Sequence, residues 1–109
     1  MSEKTFATAV NCIDGRAQIP VIEFMRQKTG AAYVDMITVP GVVKLFAAGT
    51  DSPDLQAIKS RIAISVEKHA SKHIGVAAHY DCAANPEAES VQTQQASAAA
   101  KLIQSWFPN

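Results

Sequence analysis

The chain has 109 residues, enough for one compact domain around one core. Apolar residues make up 48%, and ten basic side chains balance ten acidic ones for a formal net charge of zero; with no basic run, the electrostatic footprint of a nucleic-acid binder is missing. No apolar segment approaches the ~20 residues that span a bilayer.

Met1–Thr5 leads into an apolar run too short for a signal peptide, with no cleavage signal behind it, so a soluble cytoplasmic protein is expected. Phe6–Val10 is mostly apolar and reads as a buried first strand. Pro20 suits the first turn of a helix, where a missing N–H costs nothing. Val21, Ile22, Phe24 and Met25 give that helix an apolar side, and Gly30 is its stop. Tyr33–Val39, rich in β-branched and aromatic residues and ended by Pro40-Gly41, reads as a second strand. Val42, Val43, Leu45 and Phe46 are apolar enough for partial burial in a short helical turn.

The next helix is better marked. Ser52 is a good N-cap, Pro53 fits the first helical position, and Asp54 suits the positive end of the dipole. Leu55, Ile58, Ile62 and Val66 form one buried stripe. Lys68, His69, Lys72 and His73 gather near its end, where cations are favoured. His69 and His73, four apart on that helix, are expected as solvated residues rather than a second metal site. Ile74–Ala78 reads as a third strand running into His79; Gly75 weakens it but permits close packing. Asn85-Pro86-Glu87 starts a last helix reaching Trp106, with Val91, Leu102, Ile103 and Trp106 as its larger apolar contacts and Pro108 beyond its end.

Alternating strands and helices imply a parallel sheet with right-handed crossovers. The expected fold class is α/β: a small three-layer domain with a central parallel sheet, the first strand central and the second and third flanking it. Its two open edges are the kind that partners cover.

The two cysteines fall in two motifs far apart in the chain, Cys12-Ile13-Asp14-Gly15-Arg16 and His79-Tyr80-Asp81-Cys82. Each follows a strand at its carboxyl end, and in an open parallel sheet sites form there, where strand order reverses. With the first strand central, Cys12 faces His79 and Cys82. Two thiolates and an imidazole are a first shell for zinc, leaving a fourth position for water or for Asp14. The bland alternative is two buried thiols and a hydrogen-bonded histidine. A reducing compartment argues against a Cys12–Cys82 disulfide. If the chain stays extended through Gly15, then Cys12, Asp14 and Arg16 line one wall, and Arg16 can hold Asp14 in a bidentate pair. Tyr80 and Asp81 either line the pocket or shape its turn.

The ordered pair Cys-x-Asp-x-Arg and His-x-x-Cys resembles the zinc site of the β-class carbonic anhydrases, and the likeness runs from about residue 6 to residue 85, the helix from Pro53 and the strand before His79 included. The resemblance implies reversible hydration of carbon dioxide to bicarbonate by zinc-bound hydroxide, the metal lowering the pKa of its water to about 7. It implies Zn2+ on Cys12, His79 and Cys82, with Asp14 and Arg16 as the catalytic dyad that opens or closes the fourth position and Asp14 as a possible fourth ligand. It also implies a homodimer or higher homo-oligomer with its cleft at the subunit interface. Residues 1–109 are expected to form a single domain without the family's N-terminal arm and C-terminal extension, and Ala78 and Ala83 stand where the family commonly has glycine. A non-catalytic zinc-binding module of the same fold, or a related zinc hydrolase of another small electrophile, are the alternative functions.

Overall fold

Phe6–Asn11 (β1) extends because its apolar and small side chains alternate between two covered faces, and from Ala7 to Asn11 every residue is buried. The computed structural model describes residues 5–48, 52–79, 85 and 87–108. Within them β1 pairs in parallel with Tyr33–Thr38 (β2) on one side and with Ile74–Val76 (β3) on the other, in the order β2-β1-β3. The register runs from Phe6 opposite Tyr33 to Asn11 opposite Thr38, and from Thr8 opposite Ile74 to Val10 opposite Val76. The expected α/β class and central first strand are what the chain adopts.

Gln18–Thr29 (α1) covers one face of the sheet. Gly30 ends it in the left-handed region, at φ 75°, donating its N–H to Arg26 O at 2.9 Å. Val42–Ala48 (α2), Pro53–Lys68 (α3) and Glu89–Trp106 (α4) cover the other face. Ser52 caps α3 by accepting the Leu55 N–H at 3.1 Å, with Pro53 in the first turn, as its sequence signature requires. Val10 and Ile37 meet Leu55, Ile58, Ile62, Ala99 and Ile103 in the main core. On the α1 side the layer is thinner: Ala7, Ala9, Met25 and Ala31.

Several expectations are corrected here. The apolar side of α1 is only partly buried. Met25 packs on the sheet, but Phe24 is 61% and Ile19 67% exposed. The alanines of β1 explain this: they leave a shallow face that one flexible methionine fills. The third strand ends at Val76 rather than Ala78, its ladder closing with Ala77 N–H to Val10 O at 2.9 Å. Likewise the last helix begins at Glu89, capped by Ala88, and not at Asn85. His69 and His73 do not share a helix. The chain leaves α3 at His69, and Ala70 takes φ 55°. His69 Nδ1 instead bonds Asp35 Oδ2 at 2.6 Å, and its ring stacks on Phe6 with centroids 4.0 Å apart.

Gly75 packs as its small size suggests. A Cβ there would lie 2.6 Å from Met25 Sδ, inside van der Waals contact. Gly75→Ala is therefore expected to cost at most about 1 kcal/mol, because the atoms in the way are the far end of a flexible methionine that can shift. In a Met25→Ala background the same substitution should cost measurably less, because the clashing atom is gone; a denaturant double-mutant cycle with no coupling would refute this packing account.

Candidate metal centre

The site grows from the end of β1. Asn11 is fully buried, and its side chain does two jobs: Oδ1 accepts the Cys12 N–H at 2.9 Å, and Nδ2 donates to Ala17 O at 3.3 Å. Gln18 ties down the same segment, Nε2 donating to Cys12 O at 2.8 Å and to Asp14 O at 2.7 Å. Cys12 is held at both main-chain groups and is 5% exposed; its Sγ accepts the Gly41 N–H at 3.4 Å. The thiolate is the form of a cysteine that binds metal.

Beyond Cys12 the chain does not stay extended. Gly15–Ala17 forms a single 3-10 turn, with Asp14 as its N-cap accepting the Arg16 N–H at 2.8 Å. The expected wall of Cys12, Asp14 and Arg16 is therefore replaced by a loop in which Arg16 folds back. An aspartate before glycine favours this, because its short carboxylate satisfies an otherwise orphaned amide. The Asp14–Arg16 partnership survives the change and becomes tighter. Arg16 Nε reaches Oδ1 at 3.0 Å and Oδ2 at 3.2 Å, and its Nη2 reaches Oδ2 at 2.6 Å.

The side-chain bonds from Arg16, aided by its backbone N–H and charge, hold the Asp14 carboxyl well below the usual carboxylate range. Because folding lowers this pKa, the pair's contribution is present above the unfolded value of about 4 and fades only as pH falls through the depressed one. Arg16 is exposed, so the pair adds little stability. Its consequence is orientation.

His79 arrives from β3 and places Nδ1 3.9 Å from Asp14 Oδ2, with its side chain largely buried. Cys12 and His79 line one cavity of ≈ 10 Å³, together with Gly41, Val42, Ala78 and Asn85. The structure thus brings Cys12, Asp14, Arg16 and His79 to one end of the sheet, from motifs separated by most of the chain. Cys82, with Tyr80 and Asp81, lies outside the described residues. Among the described residues no cluster of three or more His, Cys, Asp or Glu side chains is gathered.

Two of the residues gathered here, Cys12 and His79, are of the types that zinc takes as ligands. A sulfur and an imidazole nitrogen are zinc donors, and the space between them is about one small sphere. Asn85 lines the same space, 1% exposed, with an Oδ1 that has no hydrogen-bond partner among the described residues. Its Nδ2 donates to Gln95 Oε1 at 2.7 Å, and its main-chain oxygen accepts from Gln92 Nε2 at 3.0 Å. Asn11, Gln18, Gly41 and Asn85 were not among the sequence-derived candidates. One signal did exist, for Asn11: a polar side chain directly before Cys12 at the end of a buried strand must find partners.

Comparison with curated proteins and with solved structures returned no match. A model of the protein family described as "Putative carbonic anhydrase" matches residues 2–109, and the chain belongs to that family.

Proposed function

We propose that the chain is a zinc-dependent carbonic anhydrase that interconverts carbon dioxide and bicarbonate, with Cys12, His79 and Cys82 holding the metal. Bound there, zinc would supply a Lewis acid that brings the pKa of water to about 7. The observation that carries the reading is the convergence of Cys12 and His79 on one cavity, with Asp14 beside them and restrained by Arg16. The chain's own residues do the rest. Asn11 and Gln18 fix the Cys12 segment, so the sulfur is placed before any ligand arrives. Arg16 keeps both oxygens of Asp14 engaged and the carboxylate ionised. Asp14 stays an acceptor at neutral pH, able to take a hydrogen bond from a nucleophilic water and orient it. Residues 1–109 act as one domain in this reading, and the active form is a homo-oligomer in the cytoplasm.

A second reading draws on the cavity's size. At ≈ 10 Å³ the cavity lined by the described residues is the size of an ion, which is all that a non-catalytic zinc module of the same fold requires. Metal analysis and carbon dioxide hydration assays at pH 7 and pH 8.5 separate the two. The expected result is near-stoichiometric zinc with hydration rising toward the higher pH. Stoichiometric zinc with no hydration at either pH selects the module, and zinc-free protein after anaerobic preparation defeats both.

A further inference from the structure

A second cavity, of ≈ 200 Å³, opens where the ends of α3 and α4 meet β3, and neither Cys12 nor His79 lines it. Its floor is apolar: Val66 of α3, Ile74 and Val76 of β3, Ile103 of α4, and Phe107 just beyond, all buried or half-buried. The gap has a cause in the fold. β3 is three residues long and has no strand on its outer side among the described residues. Ile74 and Val76, two apart and so on one face of it, are only half covered. From α4 the small side chain of Ala100 stands exposed in the lining, where a longer one would close the space.

The mouth is polar. Lys72 and Gln104 line the cavity and are both exposed. No acidic side chain lines it, and Lys72 makes no ion pair among the described residues. Gln104 Nε2 donates to Pro108 O at 3.2 Å and has a second hydrogen to give. Ser71, also in the lining, is already committed. Its Oγ accepts from Thr8 Oγ1 at 2.8 Å and donates to His73 O at 3.2 Å.

We propose that this cavity binds a free small monocarboxylate, its apolar body on the floor and its carboxylate at the mouth between Lys72 and Gln104. Size sets the body: an apolar cavity of about 150 Å³ takes a benzene ring, so a ring or a chain of about six carbons fills this one. Charge sets the head. One cation with no competing carboxylate complements one negative charge, through a charge-assisted hydrogen bond. A dianion would leave its second charge against Val76 and Ile103 without a partner, and a neutral hydrocarbon would cover Lys72 while offering it nothing.

The test is a titration of the full chain with benzoate, followed by amide nuclear magnetic resonance, with circular dichroism to confirm that each variant is folded. Saturable shifts are expected at the amides of Val76, Ile103 and Phe107, with a dissociation constant below about 1 mM. Benzyl alcohol, of similar shape but uncharged, should bind at least about fivefold more weakly. Lys72→Ala should bring benzoate down to the level of the alcohol. Ala100→Leu, a good helix former that occupies the space, should weaken both ligands at least about tenfold. Absence of saturable shifts at those amides overturns the proposal and leaves the cavity to a side chain of another protein. So does benzoate binding unchanged by both Lys72→Ala and Ala100→Leu, or benzyl alcohol bound as tightly as benzoate. Shifts confined to Cys12, Asp14 and His79 also overturn it, by placing the carboxylate at the metal centre. Neither variant touches that centre, so the outcome is independent of the zinc reading.

Discussion

Cys12→Ser should reduce the zinc carried by the purified protein from about one equivalent to less than about a tenth, an affinity loss of at least about 100-fold. Serine is nearly isosteric with cysteine, and its hydroxyl can still accept the Gly41 N–H that now meets Sγ. What it lacks is an ionisable thiol, and the metal binds the thiolate. The fold should tolerate the change, because the main-chain bonds to Asn11 and Gln18 do not involve the sulfur. Thermal unfolding measured in chelator should then differ little between wild type and Cys12→Ser, while zinc should stabilise the wild type alone, by linkage. His79→Ala should behave in the same way. Asn11→Ala should be milder for the metal, about tenfold, because it loosens the segment but leaves the ligand. Stoichiometric zinc retained by both Cys12→Ser and His79→Ala would place the metal elsewhere.

Much of this architecture is legible in the sequence because its signals are local and consistent. Ser52-Pro53-Asp54 marks the start of α3 where the cap is found, and the spacing of Leu55, Ile58 and Ile62 marks its buried stripe. Alternation of strands and helices leads to the parallel β2-β1-β3 sheet, and with it the meeting of Cys12 and His79. The parts that were not legible depend on tertiary partners. Nothing around Phe24 says that Ala7 and Ala9 leave too shallow a face to bury it. The turn at Gly15 was missed because alternation was extended past a strand that had already ended, while a carboxylate two residues before an amide competes for a cap.

Thr8 shows the same limit in the core. Lying between Ala7 and Ala9 in a buried strand, it needs a polar partner, but its partners come from remote segments. Its Oγ1 meets Ser65 Oγ at 2.6 Å and donates to Ser71 Oγ at 2.8 Å, and Ser65 donates to Asp35 Oδ2 at 2.7 Å. The sequence states the need; only the fold says who meets it. The same kind of remote meeting occurs at the carboxyl end of β1, where His79 of the second motif stands beside Asp14 of the first.

Arg16→Ala should depress hydration at pH 7 by about 10²- to 10³-fold while leaving the protein folded and zinc-loaded. The guanidinium now occupies both oxygens of Asp14 through Nε and Nη2. Its removal leaves the backbone N–H of residue 16 on Oδ1, so the 3-10 turn keeps its cap. It also removes the main cause of the low Asp14 pKa, which should rise toward the ordinary carboxylate range. A carboxylate without its restraint, already 3.9 Å from His79, is positioned to compete for the fourth position on the metal. Arg16→Lys should fall between wild type and alanine, since an ammonium keeps the charge but cannot fork onto two oxygens. The readout apart from activity is structural: crystals of zinc-loaded Arg16→Ala should show Asp14 on the metal. Water in that position, or a hydration rate equal to wild type, would mean that Arg16 does not gate the site and that its pair with Asp14 is an ordinary surface contact of small energetic consequence.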